Sequence, residues 1–304
     1  MRNALLAILA LLLILPVAAR TNRHSRSVNI NISTDDDDEI TSCDQIRVRF
    51  DGEAAVMREE VLPAGNVRSL RGQASTHGGI RVTGWDRPDW SVKACVASAS
   101  GFEGSSRMRP YLRGTELGVE GNDDDDRSVI YFLIRAPRNA VLDLEAHNGA
   151  LGIQGISGSL TARTENGPIT LTSVSGTVNA TAQNGPIDFA GSAGKVRLAA
   201  QNGPVTVKLT GSSWTGGNLD ASTENGPICL RIPRDYRSGV VVESDGHGPI
   251  SCRAEACRQA KRTWGNDDDS WNDDGSFRRI ELGSGAQIVK MSTNNGPVTV
   301  KEGT

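Results

Sequence analysis

The side chains able to do chemistry are few in this sequence and widely scattered. Of 304 residues only four are histidine: His24, His77, His147 and His247. The sequence contains no Gly-x-Ser-x-Gly elbow, no phosphate-binding loop and no His-Glu-x-x-His. Carboxylates at Glu165, Asp188, Asp220 and Glu224 are the candidates for acid and base work. A polysaccharide lyase or hydrolase would need such groups to converge on one groove. However, Glu165, Gln183, Gln201 and Glu224 all stand just before an Asn-Gly pair. A shared repeat position marks a surface row, whereas an active site usually breaks a pattern.

A second set of candidates lies in an insertion at about 251–287. Asp267, Asp269 and Asp274 are interleaved there with Trp264 and Trp271. From Ser270 through Asn272, Asp274 and Gly275 to Glu281 the spacing approximates a calcium loop, although Ser replaces the first ligand. Calcium would be held weakly, and no other cofactor is expected. Exposed tryptophans beside carboxylates can stack on sugar rings, so this insertion is a candidate ligand contact, as is Trp214 in another. The bland alternative is that these rings cover the apolar cluster of their own loop.

The five cysteines Cys43, Cys95, Cys229, Cys252 and Cys257 have no zinc-site spacing with histidine. Export would let them pair. Cys43 with Cys95 and Cys252 with Cys257 are the preferred pairs, with connectivity open on sequence alone. Export is signalled by Met1-Arg2-Asn3, an apolar run from Ala4 to Leu15, Pro16 and then Val17-Ala18-Ala19. A signal peptide over 1–19 is expected to be removed, leaving no transmembrane span and a periplasmic, cell-surface or extracellular product. The net charge of −3 gives no reason to expect nucleic acid or an anionic membrane as partner.

The elements that must carry these residues come from a repeat. Asn-Gly, mostly followed by Pro and a β-branched residue, occurs at Asn148, Asn166, Asn184, Asn202, Asn225 and Asn295, with His247-Gly248-Pro249-Ile250 as a variant. His77-Gly78-Gly79-Ile80 reads as a degraded earlier copy. The intervals are 18 residues three times, then 23 and 22. Apolar residues stand six and four positions before each corner, as at Leu160 and Ala162, and three and five after it, as at Ile169 and Leu171. Each unit is strand, corner, strand with alternating sides. Glycines at Gly158, Gly176, Gly194 and Gly217 mark a second corner.

An antiparallel meander is the rival, because Asn-Gly also favours hairpins. Pro directly after Gly would remove a donor that hairpin pairing wants, and like residues recur at like offsets. The pattern therefore predicts an all-β fold, a parallel β-helix-like β-solenoid of about 18–23 residues per coil. Its corner asparagines, with His247, would stack as an amide ladder in left-handed backbone. Residues 20–42 read as a flexible acidic linker, 43–140 as irregular early coils or a cap, and 141–304 as the regular coils.

The run Leu133-Ile134-Arg135-Ala136-Pro137-Arg138-Asn139-Ala140-Val141-Leu142-Asp143-Leu144, followed by His147-Asn148-Gly149 and the Asn-Gly-Pro-Ile units, resembles the bacterial putative-adhesin domain family. The resemblance covers about residues 75–300. It implies exported β-strand repeats in a cell envelope and carries over no catalytic residue. Family members often show Asn-Gly-Asp where this chain has Asn-Gly-Pro, which weakens any metal reading of the corners. The expectation is a non-catalytic, adhesin-like or structural protein of the envelope, with a glycan or another envelope protein as partner. The alternative is a carbohydrate-active enzyme on a β-helix.

Overall fold

The computed structural model describes residues 30–34, 40–65, 67–102, 108–121, 127–244, 248–264, 277–284 and 286–303. The signal peptide expected over 1–19 lies outside them, as do His247, Asp267, Asp269, Trp271 and Asp274. Among the described residues the chain is all-β, built on two long sheets of twelve and eleven strands and one three-stranded sheet.

Each repeat contributes one strand to each long sheet, and successive repeats pair in parallel, residue for residue. Leu160 lies opposite Leu142 on one side and Val178 on the other, while Ile169 lies between Leu151 and Ile187. The result is a β-helix-like stack of two-stranded rungs. In spatial order, rung 1 is Ser69–Gln73 with Ile80–Trp85, and rung 2 is Val141–Ala146 with Leu151–Gln154. Rung 3 is Ser159–Thr164 with Ile169–Thr172, and rung 4 is Thr177–Ala182 with Ile187–Gly191. Rung 5 is Lys195–Asn202 with Val205–Leu209, and rung 6 is Leu219–Asn225 with Ile228–Ile232.

Then the order of the chain breaks. Rung 7 is the last repeat, Gln287–Asn295 with Val298–Glu302, and rung 8 is the earlier Gly239–Ser244 with Ile250–Cys252. Strictly sequential coils do not describe this end. The insertion returns as a hairpin, Lys261–Trp264 with Phe277–Leu282, that extends the twelve-stranded sheet beyond rung 8. It covers the open end that a stack of repeats would otherwise leave.

The core is a single apolar seam between the sheets. Leu144, Ala162, Ala180 and Leu198 are wholly buried from one side and Ile153, Leu171 and Phe189 nearly so from the other. Alanines at the inner positions set the sheets close together, so little aromatic residue is needed to fill the space.

The first part of the chain is less regular than a run of coils. Ser128–Pro137 pairs in parallel with rung 1, but Ser91–Ser98 and Val56–Leu62 then continue that sheet antiparallel. Within the stretch read as linker, Ile30–Thr34 forms a strand antiparallel to Ile46–Phe50. Its alternating isoleucines sit beside an acidic run that dominates the composition of the segment. Ile46, Val48 and Phe50 close a second small core over Cys95, Val129, Tyr131 and Leu133. The Cys43–Cys95 bond ties the two layers, and Cys252–Cys257 ties the end of rung 8 to the short turn after it.

Candidate functional site

The corner of each rung is set by backbone contact rather than by backbone handedness. A Cβ on Gly167 would lie 2.1 Å from the Gly149 carbonyl oxygen, and one on Gly185 2.2 Å from that of Gly167. Each corner glycine is thus required by the rung beneath it. The expectation of left-handed asparagine is corrected here: the described residues other than glycine with positive φ are Asp51 and Ser173. Asparagine is used for its side chain. Asn166 Nδ2 donates to Asn148 Oδ1 at 2.9 Å, Asn184 to Asn166 at 2.9 Å and Asn202 to Asn184 at 2.9 Å. Asn225 donates to Asn202 at 3.0 Å and Asn295 to Asn225 at 3.0 Å. Proline loses nothing at the next position but one, because only its carbonyl is used: Ile169 N donates to Pro186 O at 2.9 Å.

A threonine row inside the corner was not singled out from the sequence. Thr223 Oγ1 donates to Gly203 O at 2.9 Å and Thr293 Oγ1 to Gly226 O at 3.0 Å, so these buried hydroxyls are satisfied one rung down. Thr164, Thr223 and Thr293 share the position two before Asn, which is the signal that could have found them.

The carboxylate candidates do not converge. Asp188 projects from the eleven-stranded sheet, whereas Glu165, Asp220 and Glu224 belong to the other sheet or its corner edge. Glu165 follows rung 3 and Glu224 lies in rung 6, three rungs away, or about 14 Å at the usual strand spacing. Glycosidic carboxylate pairs stand closer than about 10 Å. Glu165 is engaged by His147, whose Nδ1 lies 2.7 Å from its Oε2, and Arg163 meets Asp143 at 2.7 Å. His147, Glu165, Arg163 and Glu145 line a hollow of about 650 Å³, while Asp143, the partner of Arg163, lies outside its lining.

Of the tryptophans, Trp214 is not a surface platform. It is buried, donates Nε1–H to Gly194 O at 3.0 Å and tilts against Phe189 with ring centroids 6.0 Å apart. The insertion at 210–217 folds it inward to fill the end of the rung. Trp264 lies in the capping hairpin, and the remaining insertion candidates fall outside the described residues. Among the described residues no group of three or more His, Cys, Asp or Glu is placed to hold a metal ion.

The concavity with unspent chemistry is on the outer face of the eleven-stranded sheet. A groove of about 560 Å³ runs over rungs 1 to 3, walled by Tyr131 and floored by Arg81, Gly152 and Thr170. Sites for small ligands typically have volumes of this order. Gly152 makes the groove. Its outward position is taken by Thr170, Asp188, Thr206, Cys229 and Thr299 in other rungs. A Cβ there would meet nothing nearer than Arg81 at 3.9 Å, so the notch is open space rather than a forced contact.

Arg81 Nε is buried and finds no hydrogen-bond partner. Burial pushes the neighbouring Tyr131 phenol above its ordinary pKa, against a smaller opposing pull from the Arg81 charge. No carboxylate lines the groove among the described residues. The Arg81 guanidinium, set among Thr170, Thr172 and Gln154 on the groove lining, has a chemistry suited to an anionic oxygen. Gly152 was the available signal, as the break in an otherwise filled row.

No protein-family profile matches the sequence, and no curated protein matches it. Among solved structures the chain is similar to a putative cell adhesion protein from Clostridium sporogenes, at 11% identity and a TM-score of 0.32, covering 82% of this chain and 100% of that one. It is also similar to a putative adhesin from Bacteroides fragilis, at 11% identity and a TM-score of 0.34, covering 82% and 96%. Among the described residues no helix is long and apolar enough to cross a membrane.

Proposed function

We propose that this protein is an exported, non-catalytic β-solenoid of the bacterial cell envelope with an adhesin-like role, binding an acidic saccharide in the groove beside Arg81. The observation that carries the reading is a groove that the repeat pattern leaves open at Gly152, lined by the Arg81 guanidinium with no carboxylate among its described lining residues. Export rests on the signal-like leader and agrees with two disulfides. The absence of catalysis rests on where the conspicuous residues go. The corner asparagines are bonded to one another, and of the candidate carboxylates Glu165 and Glu224 stand three rungs apart while Asp188 is on the other sheet.

A carboxylate or sulfate on a saccharide would complete the guanidinium, while the threonine and glutamine side chains receive hydroxyls. A hydrogen bond to a charged group contributes about 1.5–3 kcal/mol, or roughly ten- to hundredfold in affinity. The test is a glycan array probed with the mature protein and with Arg81→Ala. Retention of uronic-acid or sulfated saccharides by the wild type, weakened by that factor in the variant, is the expected result. Equal capture of neutral sugars by both proteins would refute the groove, and cleavage of an arrayed glycan would refute the non-catalytic reading.

A further inference from the structure

The exchange of order at the end of the stack has a consequence for self-association. Rung 6 and rung 8 are laid down before rung 7 in the chain, yet rung 7 lies between them in both sheets. Without it the two walls would stand two strand spacings apart, about 10 Å, with facing backbone groups open on both sheets. Rung 7 fills that slot completely. Ile228 N donates to Pro297 O at 3.0 Å on one side and Val298 N to Pro249 O at 3.0 Å on the other. Asn295 and Thr293 extend both corner rows, and Val289, Met291, Val298 and Val300 are all buried.

Rung 7 is also a self-contained unit. It carries its own strand, Asn-Gly-Pro corner and strand, and it joins the capping hairpin only through residues 283–286, Gly-Ser-Gly-Ala. Gly283 turns there with φ +72°. An element that follows both of its neighbours in the chain, on a short link, is equally complementary to the same slot in a second copy. We infer that rung 7 is exchanged between two copies of this chain, giving a closed dimer in which each slot is filled by the partner copy. The choice between the two forms is set by concentration. A short link gives an effective concentration in the millimolar range, so insertion within one chain wins in dilute solution and exchange grows as the protein approaches that range.

Cys229 reports which chain fills the slot. It is the free thiol, half-buried on the outer face of rung 6, directly opposite Thr299 of rung 7 and Thr206 of rung 5. The experiment uses full-length Thr299→Cys, refolded and oxidised at about 1 µM and at about 0.5 mM, then run on a non-reducing gel. The expected result is an intrachain 229–299 bond in a monomer from the dilute sample, and a dimer linked by the same pair from the concentrated one. Thr206→Cys is the control, since rungs 5 and 6 are consecutive and must link within one chain at both concentrations. Wild-type protein in two tagged forms, co-refolded at the higher concentration, should yield mixed dimers on capture of one tag, which needs no variant to fold. Only intrachain bonds in Thr299→Cys at both concentrations, or absence of mixed dimers, would overturn the inference. A dimer that lacks the 229–299 link would overturn it as well, by showing a different interface.

Discussion

Gly185→Ala is the substitution on which the stacking argument is most exposed. A new Cβ would stand 2.2 Å from the Gly167 carbonyl oxygen and 2.8 Å from its carbonyl carbon. Both belong to backbone held by the rungs around it, so no flexible side chain can give way. Relief requires separating two corners by about 1 Å. Overpacking of this kind costs about 1–3 kcal/mol and more where the contact is with backbone, so about 3 kcal/mol is expected. Gly114 supplies the contrast: its φ is +60° and nothing lies within 4 Å of a built Cβ. Alanine there costs about 1–2 kcal/mol through handedness alone, and asparagine, which tolerates that region, costs less. At Gly185 asparagine should be no better than alanine, because the penalty is collision. The assay is urea or guanidinium unfolding of the four variants, comparing midpoints at unchanged slope. A loss below about 1 kcal/mol for Gly185→Ala, or clear recovery with Gly185→Asn, would refute the reasoning.

Asn184→Ala removes one donated and one accepted amide bond at exposed positions, and at about 0.5–1 kcal/mol each the unfolding midpoint should fall by about 1–2 kcal/mol equivalent. Trp214→Ala should destabilise by about 3–5 kcal/mol, because it empties the end of a rung and leaves the Gly194 carbonyl without its indole donor; thermal unfolding measures this. The Glu59 carboxylate is held below its ordinary value of 4.5, chiefly by its hydrogen bond from Lys93 at 2.8 Å. A depressed acid contributes stability that is present in full above 4.5 and is lost as pH falls through the lower folded value, so Glu59→Gln should flatten the acid limb of a stability-against-pH curve and leave its slope near neutrality unchanged.

The unit of the fold was legible because its chemistry recurs at fixed offsets. Leu160 and Ala162 before Asn166, with Ile169 and Leu171 after it, are enough to state which side chains share a rung and which face inward. The order of the units was not legible. A period defines a rung, but Asn225, the His247 variant and Asn295 carry the same motif, and nothing local says which of the last two stacks on the first. That choice depends on how the capping hairpin turns the chain back, a long-range property. The reason for the corner glycines was likewise hidden, since Asn-Gly carries the same signature whether it serves handedness or close approach. Ile30–Thr34 was masked by the aspartates after it, which set the composition of that window although they are not in the strand. The groove escaped notice because it is made by a missing side chain, Gly152, and by Arg81, which lies outside the regular repeats.

The most direct measurement is a calorimetric titration of the mature protein with uronic-acid oligosaccharides, repeated with Gly152→Thr. Threonine already occupies the equivalent position at Thr170, and the new Cβ has room, so this variant should fold and melt like the wild type while filling the notch. Saturable heat for the wild type, abolished in Gly152→Thr at unchanged melting temperature, is the predicted result. Binding that survives undiminished in the filled variant would contradict the assignment of this face as the ligand site.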